Sequence, residues 1–139
     1  MKKYIIEKEF EVEGFKCVIL GSYFGHRCGY IAIPKEHELY GKDYDSIDID
    51  IHGGFTYAEY SEGEYPIKSD ENVWWIGFDC AHYMDAKDLN LMDKFEDKEL
   101  LEYEISLREK LGQYGTVKTV EYVENELINA VKQIKEKYQ

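Results

Sequence analysis

The chain has 139 residues, a length that suits one domain (1–139) with a hydrophobic core of its own. Apolar residues supply 44% of it and aromatics 15%, which excludes a disordered or low-complexity chain. The formal net charge of -12 repels nucleic-acid phosphates and so argues against direct DNA or RNA binding; it favours a basic protein partner, or simply solubility.

Three cysteines, Cys17, Cys28 and Cys80, are an odd number without CxxC spacing, so neither a disulfide framework nor a zinc ribbon is indicated. No apolar run approaches the roughly 18 residues of a membrane span. The residues from Met1 to Glu7 turn acidic before a signal-peptide core could form, and a reducing cytoplasm is the expected compartment.

In chain order, Ile6, Phe10 and Val12 alternate with glutamates at 7, 9, 11 and 13, the period of a half-buried strand. Gly14 permits a tight reversal into a second strand, Phe15 to Leu20. Tyr30 to Ile33 is a third strand, stopped by Pro34. A polar connection leads to a fourth, Ile47 to His52, with Ile47, Ile49 and Ile51 on one face and Asp48, Asp50 and His52 on the other. Gly53 and Gly54 suit a hairpin turn into a fifth strand, Phe55 to Tyr60. Ser61 to Glu71, with Gly63 and Pro66, is expected to be a mobile loop. Val73 to Phe78 is apolar throughout and predicts a sixth strand buried on both faces.

After Cys80 the pattern changes. Ala81 to Asp93 has no clean period and reads as a loop that covers a site. Asp97 can cap a helix carrying Leu100, Leu101, Ile105 and Leu107 as far as Gly112. Thr119 can cap a second, in which Val120, Val123, Leu127, Val131, Ile134 and Tyr138 form an apolar stripe. Glu121 and Glu124 sit at its positive end and Lys132, Lys135 and Lys137 at its negative end. The expected fold class is α+β, an antiparallel sheet from the N-terminal half packed against C-terminal helix or helices.

Histidines, carboxylates and a thiol gather between Ser46 and Asp85. Asp48-x-Asp50-x-His52 could hold a divalent metal only if the strand bends, because same-face neighbours lie roughly 6.5–7 Å apart; otherwise it is the solvent face of a sheet. In Asp79-Cys80-x-His82-x-x-Asp85, the acids and His82 could be metal ligands. Alternatively His82 is a general base oriented by Asp79 or Asp85, or all three form a structural network. Cys80 beside a histidine invites a thiolate nucleophile, but alternation places it with Trp74, Ile76 and Phe78, toward the core. Arg27 is either salt-bridged or a bidentate binder of phosphate or carboxylate.

The segments Gly25-His26…Gly29-Tyr30-Ile31…Pro34, His52-Gly53-Gly54-Phe55-Thr56-Tyr57 and Trp74-Trp75-Ile76-Gly77-Phe78-Asp79-Cys80-Ala81-His82…Asp85 resemble a family of short phage and prophage proteins. These carry an HGG-x-T-aromatic motif ahead of WW-x-GFD-x-x-H-x-x-D, and a C-terminal helix opening like Thr119 to Val123. This chain departs from that pattern with Tyr83 and Met84, where the family has small residues. The resemblance implies an accessory or host-defence-countering role and assigns no reaction.

Two functional classes follow. In the first, His82 and Asp79 act catalytically, possible metal ligands are His52, His82 and Asp85, and a small polar ligand is bound by His52, Gly53, Gly54, Thr56, Trp75 and Arg27. In the second, an acidic surface that includes Asp43, Asp45, Asp48 and Asp50 occupies a basic groove on a protein, as a nucleic-acid mimic does.

Overall fold

The computed structural model describes residues 2–61, 63–69 and 72–139; Met1, and Glu62, Asp70 and Glu71 of the expected loop, lie outside them. β1 (Tyr4–Val12) and β2 (Phe15–Ser22) form the first hairpin, followed by β3 (Arg27–Ile33). β4 (Tyr57–Tyr60) and β5 (Trp74–Asp79) complete a five-stranded antiparallel sheet in the order β1-β2-β3-β5-β4. A short parallel pair, β6 (Asp85–Ala86) and β7 (Thr116–Val117), lies apart from it. The helices are α1 (Leu89–Met92), α2 (Lys98–Leu111) and α3 (Val120–Lys137), and the fold is α+β.

α3 forms where its stripe and its cap predict. The Thr119 hydroxyl accepts from the Tyr122 amide at 3.2 Å, and Val123, Leu127, Ala130, Val131 and Ile134 are buried against the sheet. Each of the larger aliphatic side chains contributes about 1.5–3 kcal/mol by leaving water. Asp97 caps α2 through the Leu100 amide, and Gly112 closes it. That helix buries Leu101 alone among its residues, so it packs far more loosely than α3.

The predicted fourth strand is not a strand. Ile47 and Ile49 are buried as the alternation requires, but the segment lies along α3 and has no sheet partner. Its inward amides are satisfied by helix side chains instead. Asp48 N–H donates to the Tyr138 hydroxyl at 3.0 Å, Asp50 N–H to Gln133 Oε1 at 2.8 Å and His52 N–H to Glu126 Oε1 at 2.8 Å. Gln133 Nε2 and Lys137 Nζ return donors to the Asp50 and Asp48 carbonyls. A period of two therefore reports an extended chain with one buried face, and a helix can supply the partner groups that a neighbouring strand would.

The first strand also departs from simple alternation. Ile6 pairs with Leu20 but Lys8 with Ile19, a bulge that leaves Glu7 unpaired and flips the strand between the two faces. Phe10 and Val12 face α3, whereas Ile6 lies with Leu20 on the opposite face. Glu7 reaches across Gly21, where a built Cβ would stand 2.5 Å from its Oε1. There it meets the buried Arg27, whose Nε lies 2.8 Å from Glu7 Oε1 and whose Nη1 lies 2.9 Å from Asp88 Oδ2. Arg27 Nη1 also donates to the Lys118 carbonyl. This buried cluster locks the sheet to the loops around β6 and β7.

Candidate functional site

Three segments bring histidines and carboxylates together. The Gly53-Gly54 turn, with φ of 68° and 78°, carries the chain from the α3-bound segment toward the sheet. There the Thr56 amide donates to the Gly77 carbonyl and β4 pairs with β5. His52 thus comes beside His82, with ring centroids 5.9 Å apart. Gly53 suits this approach: its φ of 68° disfavours a side chain, and a Cβ there would sit 2.3 Å from His82 Nε2, so the imidazole would have to move. The third segment, β7 with Lys118 and the first two turns of α3, supplies Lys118, Tyr122 and Glu126.

Two pairs result. His52 Nε2 lies 2.8 Å from Asp85 Oδ2, and its Nδ1 lies 2.8 Å from the Tyr122 hydroxyl. In the neutral tautomer Nε2–H donates to Asp85 and Nδ1 accepts from Tyr122, so both ring nitrogens are engaged. Asp85 is also an acceptor for the His82 amide at 3.0 Å and sits 3.1 Å from Lys118 Nζ. Its side chain is 2% exposed. Burial alone would raise its pKa; the hydrogen bonds from His52, the His82 amide and Lys118 overcome that and hold it below the ordinary value.

The second pair is open. His82 Nε2 lies 3.2 Å from Asp79 Oδ1, with the two side chains 39% and 32% exposed. Asp79 is fixed through both oxygens, by the Ala81 amide on Oδ1 and the Thr56 hydroxyl on Oδ2 at 3.0 Å. No described residue bonds His82 Nδ1, which leaves an unengaged nitrogen on a partly exposed, carboxylate-oriented imidazole. Such a group can accept a proton or hydrogen-bond a ligand. Thr56 also lines a cleft of about 460 Å³ beside β4, with Asp43, Tyr44 and Trp74; neither Asp79 nor His82 lines it.

Other expected site residues fall elsewhere. Trp75 is fully buried on the sheet face away from α3, with Val18, Leu20, Tyr30 and Ile67, and cannot wall a pocket. Arg27 is consumed by Glu7 and Asp88 and has no free face for an anion. Gly54 contributes only the turn; a Cβ there would meet nothing within 4 Å. Asp48 and Asp50 are exposed along α3 and do not converge with His52. Cys80 is buried as alternation predicts, and burial pushes its thiol up to about 12, so it is no thiolate nucleophile.

The metal expectation on His52, His82 and Asp85 is not met. Among the described residues no three His, Cys, Asp or Glu side chains are grouped to hold an ion. The physical reason is that Asp85 and Tyr122 occupy both nitrogens of His52, while His82 pairs with Asp79.

Lys118, Tyr122 and Glu126 were missed from the sequence. Tyr122 and Glu126 flank the apolar stripe one helical turn apart, a polar edge beside a buried face, and that spacing was the available signal. No helix among the described residues is long and apolar enough to cross a membrane, and all three cysteines are free. Comparison of the chain with protein-family models, with curated proteins and with solved structures finds no match in any of the three.

Proposed function

We propose that the His82–Asp79 pair and Thr56 bind a small polar ligand without a metal, in a site held rigid from beneath by His52, Asp85, Lys118 and Tyr122. The observation that supports this reading is the contrast in access. One histidine–carboxylate pair is shut in and saturated, while its neighbour is open, oriented, and keeps an unused imidazole nitrogen. The surrounding acids favour a neutral or cationic ligand that presents hydroxyl or amino groups, because an anion would meet Asp79 directly. If a reaction follows, His82 is the proton acceptor and Asp79 orients it, as hydrolysis would require.

The test is an amide NMR titration with a panel of polyols, nucleosides, amines and carboxylates. Saturable shifts at Thr56, Asp79 and His82 are expected for a hydroxyl- or amine-bearing compound, with the response lost in His82→Ala. If every compound leaves these amides unmoved, or if His82→Ala binds unchanged, the reading fails.

A second reading is supported by the acidic rib. Asp43, Asp45, Asp48 and Asp50 are all exposed on one stretch of chain, where they could meet a basic protein as a phage-encoded antagonist of host defence would. Such a complex would weaken steeply with salt, and converting the four aspartates to asparagine would slow its association. Salt-insensitive capture would contradict it.

A further inference from the structure

The sheet face opposite α3 has its own small core, and at the β1 end of that face lies a cavity of about 760 Å³. This is within the range of roughly 300–1,000 Å³ typical of small-ligand sites. The β1 bulge helps to build it. By flipping the strand, the bulge turns Ile6 onto this face, where it stays 53% exposed. Leu20, Pro66 and Ile67 supply buried apolar surface. Tyr4 and Tyr65 add aromatic walls, their rings meeting edge to face at 5.3 Å.

The charge at the rim runs against the rest of the molecule. Lys2, Lys3 and Lys68 line the cavity against one carboxylate, Glu64, in a chain with 29 acidic and 17 basic residues. All three lysines are exposed, and no described residue forms an ion pair with any of them. Flat apolar walls with a cationic rim, free of ion pairs among the described residues, call for a ligand with the complementary halves.

We propose that this cavity binds a small aromatic anion, a planar ring system carrying a carboxylate, sulfonate or phosphate. The ring packs among Tyr4, Ile6 and Tyr65, where flat faces suit it. The anionic group is held by the lysines, Lys3 and Lys68 foremost. The cavity is formed by β1, β2 and the 64–68 segment, so it is independent of the His82 site and of any ligand there.

The experiment is an amide NMR titration of the intact protein with three probes: 2-naphthoate, the uncharged 2-naphthalenemethanol, and inorganic phosphate. 2-Naphthoate should give saturable shifts at Ile5, Ile6, Leu20 and Lys68, with affinity at least tenfold tighter than either other probe. The double variant Lys3→Glu/Lys68→Glu should lower that affinity at least tenfold while leaving the remaining spectrum in place. Lys68→Gln alone should lower it at least twofold. Absence of 2-naphthoate binding, or shifts confined to another face, would overturn the proposal. So would equal affinity for the alcohol, which would leave an apolar cavity without anion recognition, or for phosphate, which would leave a surface lysine patch. Unchanged affinity in both lysine variants would do the same.

Discussion

The two histidine–carboxylate pairs use the same chemistry in opposite surroundings. At His52–Asp85 the carboxylate is 2% exposed and takes hydrogen bonds or ion-pair contact from an imidazole, an amide and an ammonium. At His82–Asp79 the carboxylate is 32% exposed and the imidazole keeps a nitrogen without a described partner. A saturated buried pair cannot exchange its partners without unfolding its surroundings. An open one can trade water for a ligand at little loss. The comparison teaches that residue type does not separate support from function here; access and spare hydrogen-bonding capacity do.

The sharpest way to break that contrast is to truncate each carboxylate in turn. Asp85→Ala strands Lys118, 14% exposed, and a half-buried imidazole, and should lower stability by about 3–5 kcal/mol in urea unfolding. Asp79→Ala removes an exposed pair and should lower it by no more than about 1 kcal/mol. Comparable losses from the two would erase the distinction.

Acid provides the next test. The folded-state pKa of Asp85 lies below its unfolded value of about 3.9, so its contribution to stability is present above that value and is lost as pH falls through the lower, folded one. Asp85→Asn should therefore flatten the acid limb of the stability curve relative to the parent chain. An acid limb of unchanged steepness would show that Asp85 is not held ionised by its partners.

Much of this arrangement was legible in the sequence, and the failures share a cause. Thr119, Asp97 and Gly112 mark helix ends by local chemistry, and the continuous apolar run of β5 marks a strand whose two faces are both buried. Alternation from Ile47 to Ile51 found the buried face but not what covers it, because a period of two says nothing about the hydrogen-bonding partner. The inserted residue in β1 was hidden because Glu7 continues the alternating pattern while leaving the ladder. Trp75 was misplaced although the alternation that sends Cys80 inward also sends Trp75 to the other face. In the candidate site, His52, Gly53, Thr56, Asp79, His82 and Asp85 do come together, whereas Lys118, Tyr122 and Glu126 arrive from around the start of α3, far along the chain, and no local pattern ties them to the histidine segments.

The smallest effect concerns the turn that sets both pairs. Met84 has φ of 74°, a left-handed conformation that a β-carbon disfavours, within the His82–Asp85 turn. Met84→Gly relieves that strain while increasing the freedom of the unfolded chain, so a net stabilisation within about 1 kcal/mol is expected in the same urea assay. A clear destabilisation would mean that the Met84 side chain supports the turn.

The contrast between the two pairs is tested most directly by solvent exchange of their imidazole protons, followed by long-range ¹H–¹⁵N NMR at neutral pH and low temperature. The His52 Nε2 proton, shielded by Asp85, should exchange slowly enough to be observed, and the His82 ring proton should be lost to rapid exchange with water. Equal exchange at the two rings, or slow exchange at His82 alone, would contradict the assignment of one pair to support and the other to ligand contact.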